Sequence, residues 1–169
     1  KKKVYDIGLV KRGVFMERKY SKDLQEWKIR DNRKPLILRG ARQVGKTYLV
    51  RDFATLHFKN IIEINFDRDL EKAELFKSTK ISAIIDLLEI EYETEIIPGE
   101  TLLFLDEIQA APQLIHQLRY FYEEYSSLHV IAAGSLLDFE LAEHEYSMPV
   151  GRIEYMFIGP MDFYEFMRA

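Results

Sequence analysis

Between an apolar run and a helical pattern, the chain contains Gly40-Ala41-Arg42-Gln43-Val44-Gly45-Lys46-Thr47. These eight residues match G-x-x-x-x-G-K-[ST], the pattern of a phosphate-binding loop. Such a match arises by chance in only about one chain in two hundred of this length. The motif therefore predicts a nucleotide-binding segment that joins a buried strand to the first turn of a helix.

The residues on either side of the loop supply that strand and that helix. Pro35 precedes the apolar run Leu36-Ile37-Leu38, which is typical of a short strand covered on both faces. After the loop, apolar residues recur on one helical face. They are Leu49, Val50, Phe53 and Ala54.

Each part of the loop has an expected role. Gly40 and Gly45 allow a close backbone approach, which leaves successive N–H groups free to point at phosphate oxygens. The helix N-terminus adds partial positive charge. We expect Lys46 to reach the β- and γ-phosphates and Thr47 to place its hydroxyl on Mg²⁺. Arg42 and Gln43 are also able to approach phosphate, although variable loop positions usually face solvent.

The composition fits one soluble domain with its own core. The chain has 169 residues, of which 47% are hydrophobic and 31% charged. Because cysteine is absent, a disulfide framework and a thiolate metal site are excluded, and a cytoplasmic location is expected. The histidines show no metal-ligand spacing and are interpreted as structural or surface residues. They are His57, His116, His129 and His144.

Charge and hydropathy argue against two classes of partner. No stretch approaches eighteen consecutive apolar residues, so no membrane partner is expected. The net charge of −4 gives no global basic footprint for nucleic acid. Residues 1–15 are interpreted as a basic, solvated N-terminal extension, with Met16 as a candidate natural start, and residues 16–169 as the core.

Strand and helix patterns alternate along this core. Strands are predicted over 36–39, 61–66, 101–105, 129–133 and 153–157. Helices are predicted over 18–31, from the loop to about 57, over 69–93 in two pieces split near Ser78-Thr79, over 112–126 and over 136–144. This alternation indicates a parallel sheet with right-handed crossovers. The amphipathic segment 160–167 either docks on the sheet or belongs to a longer protein, and we favour the second.

The strand over 101–105 is followed by the acids that phosphate chemistry requires opposite the loop. Asp106, at the strand tip, is able to hold Mg²⁺ through its water shell. Glu107 is able to polarise the attacking water as a base. Buried strands that end in two acids are common, so the combination with Lys46 is what favours a functional interpretation.

Four segments together resemble the prokaryotic AAA-type P-loop ATPase family, in which an AAA+ domain is usually followed by a C-terminal domain of unknown function. They are 39–47, 105–109, 133–137 and 149–152. The resemblance covers about residues 16–169. It implies an α/β P-loop NTPase fold with three α/β/α layers and a five-stranded parallel sheet, in which the strands numbered along the chain have the order 5-1-4-3-2. It also implies binding of ATP and Mg²⁺, hydrolysis of ATP, and a C-terminal domain beyond this chain.

The resemblance assigns two further residues, each with an alternative. Ser135 would occupy the polar sensor position that faces the γ-phosphate, or it is the N-cap of the next helix. Arg152 would act as a finger toward the nucleotide of a neighbouring subunit in a homo-oligomer, or it pairs with a local acid.

The leading functional interpretation is an ATPase whose cycle drives an unknown partner or a remodelling task. The first alternative is a nucleotide-gated interaction switch with negligible turnover. A small-molecule kinase is less favoured, because Glu107 suits activation of water and no basic lid segment is apparent. Association with nucleic acid has little support within residues 16–169. Tyr20 and Trp27 are able to stack on a base, although such aromatics are more often part of a core.

Overall fold

The computed structural model describes residues 4–6, 18–135, 149 and 151–167. At its centre lies a six-stranded sheet with the spatial order β1-β3-β4-β5-β2-β6. The strands are β1 (Val4–Asp6), β2 (Leu36–Arg39), β3 (Asn60–Asn65), β4 (Thr101–Asp106), β5 (His129–Gly134) and β6 (Glu154–Phe157). Strands β2 to β6 are parallel, whereas β1 is antiparallel to β3.

The five parallel strands confirm the predicted fold class and strand order. Numbered along the chain without β1, they have the order 2-3-4-1-5, which is the predicted order read from the opposite edge. The interpretation of residues 1–15 as a solvated extension missed β1. This strand pairs Val4 with Ile62 and Asp6 with Asn60, and so covers the backbone edge that β3 would otherwise expose.

The helices largely follow the predicted pattern. They are α1 (Ser21–Ile29), α2 (Lys46–His57), α3 (Ile81–Tyr92), α4 (Leu114–Glu124) and a short terminal helix, Phe163–Met167, with 3₁₀ helices at Leu70–Phe76 and Ile108–Ala110. The predicted break near Ser78-Thr79 separates Leu70–Phe76 from α3. The helix predicted over 136–144 lies outside the described residues. In the described part of the chain, no helix has both the length and the apolar character needed to span a membrane.

Two apolar clusters, one on each face of the sheet, make the three layers. Leu36 and Leu38 join the cluster formed with α1 and α2, whereas Ile37 between them joins the cluster formed with α3 and α4. Successive strand residues point to opposite faces, and each fully buried Leu or Ile contributes about 1.5–3 kcal/mol. Both faces are therefore covered, which is why the strands are apolar throughout.

Trp27 belongs to the core on the α1 and α2 side. Its side chain is buried, and the indole Nε1 donates a 2.8 Å hydrogen bond to the Lys34 carbonyl. The ring also makes an edge contact with His129. These contacts agree with the structural interpretation of this aromatic and leave it no face for a nucleotide base.

The register of the parallel strands determines which residues share the edge at which those strands end. Asn65 pairs with Asp106 across β3 and β4, and Arg39 pairs with Gly134 across β2 and β5. The loop that begins at Gly40 therefore leaves the same edge as Asp106. Ligands of open α/β sheets bind at this edge.

Candidate active site

The loop between β2 and α2 has a backbone that requires glycine at its first position. Gly40 has a φ of +147°, and a Cβ atom there would lie 2.1 Å from the carbonyl oxygen of Ile158. Gln43 and Gly45 also have positive φ values, of 66° and 89°. Residues of left-handed conformation within such a loop turn backbone N–H groups toward a common concavity, which suits an anion. Arg42 and Gln43 are exposed, as expected for variable positions of the loop.

The Lys46 side chain lies inside the loop rather than in solvent. It is 7% exposed, and its Nζ atom donates hydrogen bonds of 2.9 Å to the carbonyl oxygens of both Gly40 and Ala41. Burial lowers the pKa of Lys46, while the nearby charges of Glu107 and Asp106 raise it. Negative charge brought into the loop would stabilise this ammonium, so the site favours an anionic ligand.

Asp106 lies at the centre of a hydrogen-bonded cluster on the sheet edge. Its Oδ2 atom accepts from Thr47 Oγ1 at 3.0 Å and from Asn65 Nδ2 at 3.1 Å. Its Oδ1 atom accepts from the backbone N–H of Glu107 at 3.2 Å. Burial raises the pKa of Asp106, and the neighbouring charges of Glu107 and Glu63 raise it further, against the lowering effect of the Thr47 and Asn65 hydrogen bonds.

The oxygens of Thr47 and Asp106 suit magnesium bound together with a nucleotide. Mg²⁺ prefers oxygen ligands and is usually held by one or two protein groups, several waters and substrate phosphates. Asp106 is only 2% exposed. A cation beside it would offset the free-energy cost of burying its charged carboxylate. In the described ranges, no group of three or more His, Asp or Glu residues forms a site that could hold a metal by itself. The two protein oxygens therefore fit a metal ion whose remaining ligands are water and phosphate oxygens.

At Glu107, directly after the end of β4, the backbone turns away from the strand direction. Its φ of 52° is left-handed, a conformation that costs a residue with a side chain roughly 1–2 kcal/mol. Gln109 Nε2 donates a hydrogen bond to Glu107 Oε2 and so orients the carboxylate. Backbone strain of this kind is concentrated at functional sites, where it aims a reactive group.

Ser135 lies on the same edge as the loop. It directly follows Gly134, which pairs with Arg39, the residue before Gly40. The sensor assignment stays a prediction. The helix that Ser135 would cap lies outside the described residues, so the N-cap alternative stays open.

Arg152 lies on the opposite edge and pairs with a local acid. Its Nε atom donates a 2.8 Å hydrogen bond to Glu123 Oε1 on α4. Because Glu154 is in register with Leu36, Arg152 is level with Lys34, six residues before Gly40. At about 3.3 Å per residue, roughly 20 Å separates it from the loop of its own chain. The structure therefore does not bring Arg152 together with the loop of its own chain, and its finger role stays a prediction.

Comparison with known proteins assigns the family. A family model described as an AAA domain matches residues 32–167, most of the chain. The chain belongs to this AAA domain family. The family confirms the resemblance to AAA-type P-loop ATPases and identifies a nucleotide-binding domain of ATPase type.

Among solved structures, this AAA domain is similar to one titled "Structure of C. elegans PCH-2". The TM-score is 0.44 at 15% sequence identity, over 85% of this chain and 41% of that chain. The domain thus spans less than half the length of the PCH-2 chain. No curated protein matches it.

The site of the AAA domain includes side chains that the motifs did not reveal. Asn65 binds Asp106, and Gln109 binds Glu107. Arg18 donates to the carbonyl of Val44 within the loop and forms an ion pair with Glu165. Asn65 is a polar residue one position before the end of the predicted strand 61–66, which is a recognisable signal, whereas the contacts of Arg18 depend on tertiary structure alone.

Proposed function

We propose that this domain binds Mg-ATP at the loop Gly40–Thr47 and hydrolyses it to ADP and phosphate. The observation that supports the proposal most strongly is the convergence of the loop with the end of β4. Thr47 of the loop bonds directly to Asp106, and the charges of Asp106 and Glu107 both act on Lys46. A phosphate-binding lysine, a pair of oxygen ligands and an acid therefore share one edge of the sheet.

Different residues at this edge of the sheet bind the phosphates and the metal ion. The N–H groups of the loop and Lys46 hold the phosphates, and Thr47 and Asp106 hold Mg²⁺. When bound, Mg²⁺ neutralises charge on the phosphates. Asn65 keeps the Asp106 carboxylate turned toward Thr47 through its hydrogen bond to Oδ2.

Glu107 is the proposed general base. It accepts a proton from the water whose oxygen forms a bond to the γ-phosphorus, while the bond from that phosphorus to the leaving oxygen of ADP breaks. Gln109 fixes the rotamer of the base by donating to Oε2. Ser135, at the tip of β5, is the proposed polar sensor of the γ-phosphate.

Steady turnover is the direct test of hydrolysis. Release of inorganic phosphate from ATP would be measured with purified protein in Mg²⁺ and again with excess EDTA. The proposal expects Mg²⁺-dependent release that increases with enzyme concentration. Tight Mg-ATP binding with no release would instead identify the nucleotide-gated switch, and ATP-dependent phosphorylation of a small molecule would identify the kinase.

Arg152 is proposed to act in trans in a homo-oligomer, and the proposal is supported by its distance of roughly 20 Å from the loop of its own chain. In the single chain its guanidinium is held by Glu123, so subunit contact would have to release it. Arginine fingers contribute on the order of 10³-fold or more to turnover. Mixing Arg152→Ala with Lys46→Ala subunits is expected to restore part of the activity, since each supplies what the other lacks. Turnover that does not depend on concentration, with no rescue on mixing, would refute this role.

The ATPase cycle is proposed to drive an unknown partner or a remodelling task. The cytoplasmic location expected from the cysteine-free sequence likewise stays a prediction.

A further inference from the structure

Arg18 is a buried arginine that lies outside the motifs and joins three segments of the chain. Its side chain is 3% exposed and immediately precedes the turn into α1. Nε donates to Glu165 Oε1 at 2.9 Å, Nη1 to the Val44 carbonyl at 3.0 Å, and Nη2 to the Gly159 carbonyl at 3.1 Å. One guanidinium thus connects the phosphate-binding loop with the segment that follows β6.

Glu165 holds Arg18 in place. Its side chain is 7% exposed and also accepts hydrogen bonds from the backbone N–H groups of Lys19, at 2.9 Å, and Asp162, at 3.0 Å. A second bond, from the Gly159 N–H to the Tyr20 hydroxyl, joins the same two segments at 2.8 Å. The segments 18–20 and 159–165 are therefore bound to each other beside the loop, and we call this arrangement the clasp.

The clasp controls the direction of one peptide group in the loop. A trans peptide is planar, and its C=O and N–H bonds point in opposite directions. Because Arg18 holds the Val44 carbonyl, the N–H of Gly45 in the same peptide points away from Arg18. The contact is close, since a Cβ atom on Gly45 would lie 3.0 Å from Arg18 Nη1. Lys46 bonds to different carbonyls, those of Gly40 and Ala41, so it does not duplicate this function.

We propose that Arg18 is a positioning residue for nucleotide binding, and this inference rests on the proposed function of the loop. By holding the Val44 carbonyl outward, Arg18 keeps the Gly45 N–H directed at a bound phosphate. Glu165 keeps Arg18 in position, so docking of the segment 159–165 sets the affinity of the loop for Mg-ATP. Arg18 itself does not contact the reacting atoms.

Arg18→Lys is the informative variant. It preserves the positive charge opposite Glu165, but the three N–H donors of an ammonium share one nitrogen, which cannot lie within hydrogen-bond distance of all three acceptors that the separate nitrogens of the guanidinium reach. We expect the dissociation constant for Mg-ATP, measured by isothermal titration calorimetry, to increase about tenfold, the scale of one charge-assisted hydrogen bond. Arg33→Lys is the matched control, because Arg33 also donates to backbone carbonyls, those of Lys28 and Ser126, before β2. Its dissociation constant is expected to stay within about twofold of the parental value.

The Gly45 amide in the ¹⁵N–¹H spectrum of the nucleotide-free protein gives a second readout that a general loss of stability would not produce. We expect its cross-peak to move in Arg18→Lys and to stay in place in Arg33→Lys. If Arg18→Lys does not fold, Glu165→Gln replaces it. The amide keeps the size of the side chain and one oxygen that accepts from either the Lys19 or the Asp162 N–H, while the charge that holds Arg18 is removed, so the same weaker Mg-ATP binding and the same shift of the Gly45 cross-peak are expected.

The two readouts separate this inference from the proposed function. Failure of the parental protein to bind Mg-ATP would refute the proposed function, and the Gly45 cross-peak alone would then decide whether Arg18 positions the loop. A folded Arg18→Lys protein with parental affinity, or with an unmoved Gly45 cross-peak, would overturn the inference.

Discussion

The hydroxyl of Thr47 donates a 3.0 Å hydrogen bond to Asp106 Oδ2, although 59 positions separate the two residues in sequence. The bond joins the first turn of α2 to the last residue of β4. This contact places the two oxygens that are proposed to bind Mg²⁺ next to each other. If Thr47 and Asp106 share Mg²⁺ as proposed, the fold itself holds both oxygens in place, which reduces the ordering cost of binding.

Asp106→Asn is expected to remove the Mg²⁺ dependence of ATP binding without destabilising the nucleotide-free domain. Burial raises the pKa of Asp106 above its ordinary value of 3.8. The stability that this group contributes is therefore present below pH 3.8 and is lost as the pH rises through the higher pKa of the folded state. At neutral pH the side-chain amide introduced by Asp106→Asn carries no charge, so the variant avoids the free-energy cost of burying a carboxylate. Affinity with and without Mg²⁺, and the melting temperature without nucleotide, would be measured; a markedly lower melting temperature would contradict this account of Asp106.

Glu107→Gln is expected to separate binding from hydrolysis. The amide keeps the size of the side chain and an oxygen that accepts from Gln109, but it cannot take a proton from water. Hydrolysis should decrease at least about 100-fold, the lower range for general-base catalysis, while ATP affinity stays within about twofold. A single-turnover assay with excess enzyme measures both steps. Glu71→Gln, at an exposed acid, is the control; parental hydrolysis by Glu107→Gln would show that the assigned base is wrong.

Gly40→Ala is expected to destabilise the domain by about 3 kcal/mol, from left-handed strain together with overlap with the Ile158 carbonyl. Gly99→Ala is a matched control, because Gly99 also has a positive φ, of +83°, but a Cβ there meets nothing within 4 Å. It should cost only about 1 kcal/mol. Urea unfolding measures both. Equal losses of unfolding free energy in the two variants would mean that the Ile158 backbone moves aside, and that the close approach of this backbone to position 40 does not require glycine.

His129 should make the domain less stable in mild acid. Its burial, and then the charges of Arg33 and Lys28, lower its pKa from 6.5 to about 4. The unfolded chain therefore binds more protons in this range, and up to about 3 kcal/mol of stability is lost as the pH falls from 6.5 to 4. His129→Phe keeps the ring contacts with Trp27 and Phe58 and should flatten this part of the profile. Chemical unfolding at several pH values tests it; parallel profiles for the two proteins would contradict it.

The elements that local sequence determines were predicted well. The parallel strands are apolar because both faces are covered, and each run is bounded by a turn signal such as Pro98-Gly99. The loop Gly40–Thr47 and the pair Asp106-Glu107 are contiguous motifs, so their spacing alone indicated their chemistry. The strand order followed from the family resemblance rather than from the strands themselves.

The features that escaped prediction depend on contacts between distant segments. β1 has three residues in a basic stretch and is a strand because β3 offers it an edge. Arg18 and Glu165 are 147 positions apart, and neither belongs to a local pattern. Glu123 could not be named as the acid beside Arg152, because α4 and the start of β6 meet only in the folded chain.

Isothermal titration of Mg-ATP into the parental protein and Lys46→Ala is the most direct measurement of whether Gly40–Thr47 is the nucleotide site. We expect saturable binding at one site in the parental protein and none detectable in Lys46→Ala, because Lys46 carries the point charge that we propose faces the β- and γ-phosphates. Lys59→Ala, which removes an exposed lysine paired with Glu100, should bind as the parental protein does. Circular dichroism would confirm that all three proteins are folded. Equal affinity in Lys46→Ala and the parental protein would contradict the account and place the nucleotide elsewhere.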